Sequence, residues 1–304
     1  MHFPLSGVDV HPLVPPLVSF FISILTTSAG VSGAFLLLPF QMSVLGFVTP
    51  AVTPTNLLYN VVAIPGGVFR YFLEKRMAWP VAVTVIIGTL PGVFIGAMIR
   101  IRYLPDPRAI KVFAGFVLLY LGSRLFRESL RRNRTDFGSM QRTLRTGSGV
   151  DTAVVTRSIS LRKVEYEFCR ETFSFSPLVL LALAAVVGLV GGIYGIGGGA
   201  IIAPFLVAIL GLPVYTVAGA ALLGTFLTSV AGVGFFELLG AIGYAGKAPV
   251  RPDYLLGALF GVGGLFGTYF GARLQKRLPE RAIRLLLGLL VTGLGVYYIG
   301  QFFR

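Results

Sequence analysis

Apolar residues gather along this chain in eight long stretches. They run approximately over Leu13–Leu45, Ala51–Phe69, Trp79–Ile99, Ile110–Phe126, Pro177–Leu210, Val214–Leu239, Tyr254–Ala272 and Ile283–Phe303. A helix needs roughly 20 apolar residues to cross a bilayer, and six of these stretches have the length of one crossing. The first and fifth are too long for one ordinary span. Each is also interrupted: the first by Gly30-Val31-Ser32-Gly33 and Pro39, the fifth by Gly195-Ile196-Gly197-Gly198-Gly199 and Pro204. Glycine weakens a helix and proline removes a rung of its ladder. The pattern therefore predicts discontinuous helices at these two places.

The two interrupted stretches belong to a repeat. Shifting the second half back by 165 positions aligns residues 30–68 with it, without a gap, at Gly30/Gly195, Gly33/Gly198, Pro39/Pro204, Phe40/Phe205, Leu45/Leu210, Gly46/Gly211, Val52/Val217, Leu57/Leu222, Leu58/Leu223, Gly67/Gly232 and Val68/Val233. Leu and Val coincide readily in membrane sequences; Gly and Pro at one fixed offset do not. The unit ends also match, with small shifts, at Gly92/Gly267, Gly96-Ala97/Gly271-Ala272 and Leu104-Pro105/Leu278-Pro279. The expected organisation is a first transmembrane repeat over 1–126, a basic loop over 127–176 and a second repeat over 177–304.

Charge then sets orientation. The loop carries arginines at 127, 131, 132, 134, 142, 145, 157, 162 and 170, so the positive-inside rule makes it cytoplasmic. Its segment Ile159–Phe168 alternates apolar and polar residues, which predicts a short strand or hairpin. Arg70, Lys75 and Arg76 mark a second cytoplasmic connection, and Arg273, Lys276, Arg277, Arg281 and Arg284 a third. All three share a side only if each interrupted stretch counts as a return crossing. The units are then inverted and the N-terminus lies outside, at the cost of leaving Arg100, Arg102 and Arg108 outside. Eight plain spans with parallel units form the competing arrangement.

Composition narrows the class. Hydrophobic residues make up 55% of the 304 residues, charged residues 12%, and mean hydropathy is +0.83. A soluble domain carries about twice that charged fraction. The net charge of +14 sits in connections between apolar stretches, which is topology rather than a nucleic-acid surface. Cys169 is the single cysteine, and His2 and His11 lie in the N-terminal tail, so neither a disulfide nor a metal or other cofactor is expected. Residues 1–16 lack Lys and Arg, unlike the opening of a cleavable signal. No paired carboxylates or nucleophile–base set appears, which disfavours an enzyme.

The breaks are where chemistry is expected. A broken helix exposes backbone N–H groups and the positive end of its dipole in a low-dielectric region, and so holds an anion without a buried lysine. Gly195–Gly199 lacks the Lys-Ser/Thr pair of a phosphate loop. Asn56 and Asn60 lie four apart on one helix face, and so do Thr225 and Ser229. Candidate substrate contacts are Gly30, Ser32, Gly33, Asn56, Asn60, Gly195, Gly197, Gly198, Thr225 and Ser229. The bland alternative assigns the hydroxyls and amides to interhelical bonding, worth about 1 kcal/mol or less each. Gly88, Gly92, Gly96, Gly257, Gly261, Gly267 and Gly271 are read as packing glycines, and Arg70 and Arg100 as span-end residues that snorkel to the interface.

The run Gly195-Ile-Gly-Gly-Gly-Ala-Ile-Ile-Ala-Pro-Phe-Leu206, with Leu210-Gly-Leu-Pro213, Ala220–Ser229 and the first-half counterpart Gly30–Pro39, resembles the TauE/SafE family of sulfite exporters, also called the 4-toluene sulfonate uptake permease family. Ser32 and Ala34 replace glycines of the family's pattern. The resemblance implies a secondary transporter of sulfite, an organosulfonate or a related sulfur-containing anion. The expected fold is an all-α polytopic membrane protein of two homologous, inverted repeats with discontinuous helices and a small cytoplasmic insert. Its expected place is the inner (cytoplasmic) membrane, with a small anion and the lipid bilayer as partners and homodimerisation left open. The rival reading is a membrane-embedded assembly or scaffold protein acting through its cytoplasmic loop.

Overall fold

A computed structural model describes residues 1–28, 31–130, 153–199, 201–244, 246, 248–275 and 280–302. A two-stranded ribbon, β1 (His2–Phe3) and β2 (Val8–Asp9), opens the chain. The first helices are α1 (Val14–Ser28), α2 (Ala34–Ser43), α3 (Val52–Leu73), α4 (Trp79–Arg102) and α5 (Pro107–Leu130). An antiparallel sheet follows, of β3 (Val155–Ile159), β4 (Val164–Phe168) and β5 (Glu171–Phe175). The remaining helices are α6 (Pro177–Tyr194), α7 (Ile202–Leu210), α8 (Val214–Ala241), α9 (Tyr254–Leu274) and α10 (Glu280–Phe302).

The two over-long apolar stretches are thus each split in two, as α1/α2 and α6/α7. Helices α4, α6, α8 and α9 are long and apolar enough to cross a bilayer. Helix α3 has the length, but its Thr53, Thr55, Asn56 and Asn60 dilute its hydropathy. Large apolar side chains face outward on helix after helix: Phe21, Ile87, Phe116, Val186, Val230, Phe266 and Leu290 are exposed. Exposed apolar surface on that scale needs lipid around it.

Small residues set how the helices meet. Along α4, Gly88 meets Leu181 and Ala184, Gly92 meets Ala185 and Leu189, and Gly96 meets Leu189 and Ile193 of the parallel α6. Along α9, Gly263, Gly267 and Gly271 meet Pro16, Phe20 and Ile24 of the parallel α1 in the same way. These contacts reach backbone atoms, so a side chain at Gly92 would stand 2.6 Å from the Leu189 nitrogen; such glycines are packing devices. Helix α3 runs parallel to α9, with Leu58 on Gly257 and Val62 on Gly261, and α8 runs parallel to α4, with Gly224 on Val85 and Gly232 on Val93. Helices α3 and α8 cross antiparallel, through Gly67 on Leu222 and Gly232 on Leu57, and so do α5 and α10, through Gly115 on Ile299 and Gly122 on Thr292.

The sheet between the halves exceeds the expected hairpin by a strand. Val164, Tyr166 and Phe168 alternate inward and are buried, while Glu165 and Glu167 pair outward with Lys163 and Arg157. The sheet seats on one end of the bundle: the Val154 N–H donates to Lys75 O (2.9 Å), and the Tyr166 hydroxyl bonds Thr216 Oγ1 at 2.9 Å. Burial pushes the Tyr166 phenol well above its usual pKa, so it stays neutral there. At the same end the Tyr71 hydroxyl donates to Gln275 Oε1 (2.8 Å). At the opposite end Asp253 caps α9 through the Leu256 N–H (3.1 Å) and accepts from the Ser6 hydroxyl (2.9 Å), fixing the N-terminal ribbon. Much of the expected basic loop, 131–152, falls outside the described residues, and α5 extends to Leu130.

Candidate functional site

Each break leaves a helix N-terminus in the interior. In the first, α1 ends at Ser28 and α2 starts after Gly33, with the Ala34 N–H weakly held by Ser32 Oγ (3.3 Å). In the second, Gly195 closes α6 in the left-handed region at φ 76°, and Gly197 repeats that conformation at φ 76°. Only glycine adopts it without strain, which is why the run must be glycine-rich. Helix α7 then begins at Ile202 with no side-chain cap.

Helix α3 ties the two breaks together. The Asn56 side-chain amide donates to Ala34 O (2.9 Å) in the first break and Gly195 O (2.9 Å) in the second. Its Oδ1 accepts from the Gln41 amide (3.2 Å). One turn on, the Asn60 amide donates to Ile196 O (2.9 Å) and Ser229 Oγ (3.2 Å), while its Oδ1 accepts from the Ser32 hydroxyl (2.7 Å). All of these side chains are fully buried or nearly so. In a low-dielectric interior an unpaired carbonyl is costly, so these amides hold positions that the broken helices cannot hold themselves.

Helix α8 forms the floor of the second break. A side chain at Gly197 would stand 2.6 Å from Ser229 Oγ and 3.0 Å from Thr225 Cγ2, and one at Gly199 2.6 Å from the Thr225 nitrogen. The Gly198 N–H donates to Thr228 Oγ1 (3.0 Å), and the Thr225 and Thr228 hydroxyls donate to Ala221 O and Gly224 O of their own helix. Among the described residues, the N–H groups of Gly33 and Gly197 have no acceptor. The site therefore combines two helix N-termini and unspent backbone donors, with no carboxylate bonded to the breaks among the described residues, an arrangement that favours negative charge.

Gly30 lies outside the described residues. Ser32, Gly33, Asn56, Asn60, Gly195, Gly197, Gly198, Thr225 and Ser229 are all buried around the two breaks. The structure spends some of their donors internally: both Asn56 amide hydrogens reach carbonyls, and the Gly198 N–H reaches Thr228. Sequence reasoning passed over Gln41, and noted Thr228 as a polar residue of its span without placing it among the contacts. Gln41 is a polar residue inside the otherwise apolar α2, and that was its signal. Arg100 is a correction. Expected to snorkel, it is instead 0% exposed, with Nε donating to Thr53 Oγ1 (3.0 Å) and Nη1 to Leu104 O. Thr53 in turn backs onto Gly195, whose side chain, if it had one, would stand 2.7 Å from Thr53 O. A cation thus lies beside the second break.

Comparison with known proteins gives concordant matches. The family described as "Sulfite exporter TauE/SafE" matches residues 16–298. The probable membrane transporter protein YunE of Bacillus subtilis is 22% identical over 260 residues, which cover 84% of each chain. No solved structure matches.

Proposed function

This chain belongs to the sulfite exporter TauE/SafE family of membrane transporters, and we propose that it is a secondary transporter that moves a small sulfur-containing oxyanion, sulfite or an organosulfonate, past its two helix breaks. One observation carries the reading. Asn56 bonds both breaks at once, to Ala34 O and Gly195 O, so the two breaks meet at one buried polar spot. Uncharged coordination binds an anion and also lets it go, as transport requires.

Inversion of the repeats belongs to the same proposal, and the helix directions support it. Helices α1, α3 and α9 point one way and α4, α6 and α8 the other, as the residue-to-residue contacts run. With α5 and α10 antiparallel, the helices α1, α3, α4 and α5 of one unit oppose their counterparts α6, α8, α9 and α10 in the other. Inverted repeats with discontinuous helices meeting at the midplane form a common transporter design. The sheet, Lys75 and Gln275 share one end, which we assign to the cytoplasm of an inner-membrane protein. The burial of Arg100 removes one of the three basic residues that counted against this orientation.

Purified protein in proteoliposomes should take up labelled sulfite along its gradient. Absence of flux for every sulfur oxyanion tried would overturn the substrate reading. It would favour the scaffold alternative, for which the exposed Ile159 and Leu161 at the tip of the sheet offer a contact surface. For orientation, Gln275 is too buried, at 5% exposure, to report by labelling. Leu161→Cys and Tyr103→Cys, both exposed, should label from the inner and outer sides respectively in a Cys169→Ser background.

A further inference from the structure

Arg100 is fully buried, and its Nη2 is a buried donor with no hydrogen-bond partner. It makes no ion pair among the described residues. The carboxylates at its end of the bundle are engaged elsewhere. Asp253 accepts from Ser6 and Leu256. Glu237 holds Tyr254 and Arg251. Asp106 accepts from the Arg108 N–H at the exposed start of α5. A buried guanidinium without a counter-ion is strongly unfavourable unless something completes it. The hydroxyl of Thr49, four residues before Thr53 in sequence, is also buried and unpartnered.

We propose that Arg100 seats the transported oxyanion at the mouth of the pathway opposite the sheet, one step from the glycine break, with Nη2 as its free donor and Thr53 holding the guanidinium in place. The proposal rests on the anion-transport reading and adds to it a charged staging site. Guanidinium suits this role because its fork matches the geometry of an oxyanion. The repeat lends a second argument. The register Gly96-Ala97/Gly271-Ala272 places Arg100 opposite Gln275, and the buried Gln275 Nε2 is likewise without a partner. Equivalent positions at the two mouths each hold one unspent donor, a guanidinium at Arg100 and an amide at Gln275, whose Oε1 already accepts from Tyr71 and Arg76.

The test is anion-dependent thermal stabilisation of the full-length protein in detergent, titrated with sulfite, sulfate and chloride, alongside flux in proteoliposomes. Arg100→Gln, which gives this mouth the residue of the other, should weaken sulfite binding on the order of 100-fold, as loss of a buried charge-assisted bond does. In flux it should raise KM while Vmax at saturating sulfite is largely kept, an outcome a merely structural arginine would not produce. Arg100→Lys keeps the charge but not the fork, and should weaken binding about tenfold. A wild-type binding constant in Arg100→Gln overturns the proposal. Should Arg100→Gln not fold, an unchanged constant in Arg100→Lys overturns it. If no anion stabilises the wild type, the transport reading fails together with this site; anion binding retained without Arg100 overturns the site alone.

Discussion

Replacing Asn60 by alanine isolates the brace between the breaks. The change removes three hydrogen bonds, to Ile196 O, Ser229 Oγ and the Ser32 hydroxyl. It strips a buried carbonyl and two buried hydroxyls of a partner. Interhelical bonds inside a membrane protein are worth about 0.6–1 kcal/mol each, and an orphaned buried group costs about 1–3 kcal/mol. These two figures describe the same loss and overlap, so the expected destabilisation is about 2–4 kcal/mol, read as a fall in the thermal midpoint of the detergent-purified protein. Because the bonds hold the second break against α3, sulfite flux per inserted molecule should fall at least about tenfold, the rate equivalent of 1.4 kcal/mol. Ser32→Ala removes one of the same bonds, so the double variant should be less damaged than the sum of the singles. Stability within about 0.5 kcal/mol of the parent, with unchanged flux, would refute the idea that Asn60 braces the breaks.

Further outcomes follow from the same contacts. Gly195→Ala places a side chain at φ 76° against Thr53 O and should cost about 1–2 kcal/mol in backbone strain alone, with loss of flux; Gly300→Ala, which meets nothing within 4 Å, should be silent in both assays. Asp253→Ala loses the cap of α9 and both contacts to Ser6, and should lower stability by about 2 kcal/mol while releasing residues 1–9 to protease. Burial first, then Glu171, raises the Cys169 thiol pKa. The thiolate is the reactive form, so Cys169 should react with maleimide more slowly than a cysteine at the exposed position 161 at neutral pH, with the gap narrowing as pH rises.

Much of this was legible in the sequence because membranes impose simple rules. The two over-long apolar stretches and their Gly-Pro interruptions marked the breaks, since four glycines within Gly195–Gly199 weaken a helix far more than the spaced glycines of a packing face do. Asn56 and Asn60 stood out as amides on one face of such a helix. What sequence could not give was which donors remain free, because that depends on partners 130 or more positions away, such as Asn60 with Ile196 and Ser229. Arg100 was misread for a similar reason: its position near a span end predicts snorkelling, but Thr53 and the Leu104 carbonyl draw it inward. The third strand of the sheet was missed because its turn is Cys169-Arg170, with φ of 52° and 65°. That conformation is normally announced by Asn-Gly, and neither residue signals it.

The central claim is that the anion passes the two helix breaks. It is tested most directly by sulfite flux through proteoliposomes carrying either the wild type or Gly198→Val at matched protein content. Gly198 lies against Thr89, so the first carbon of a new side chain would fall on the Thr89 Cβ, and valine cannot enter without displacing the break. The account predicts that the wild type carries sulfite and that Gly198→Val, inserted and monodisperse, carries none. Flux through Gly198→Val at the wild-type rate would contradict it.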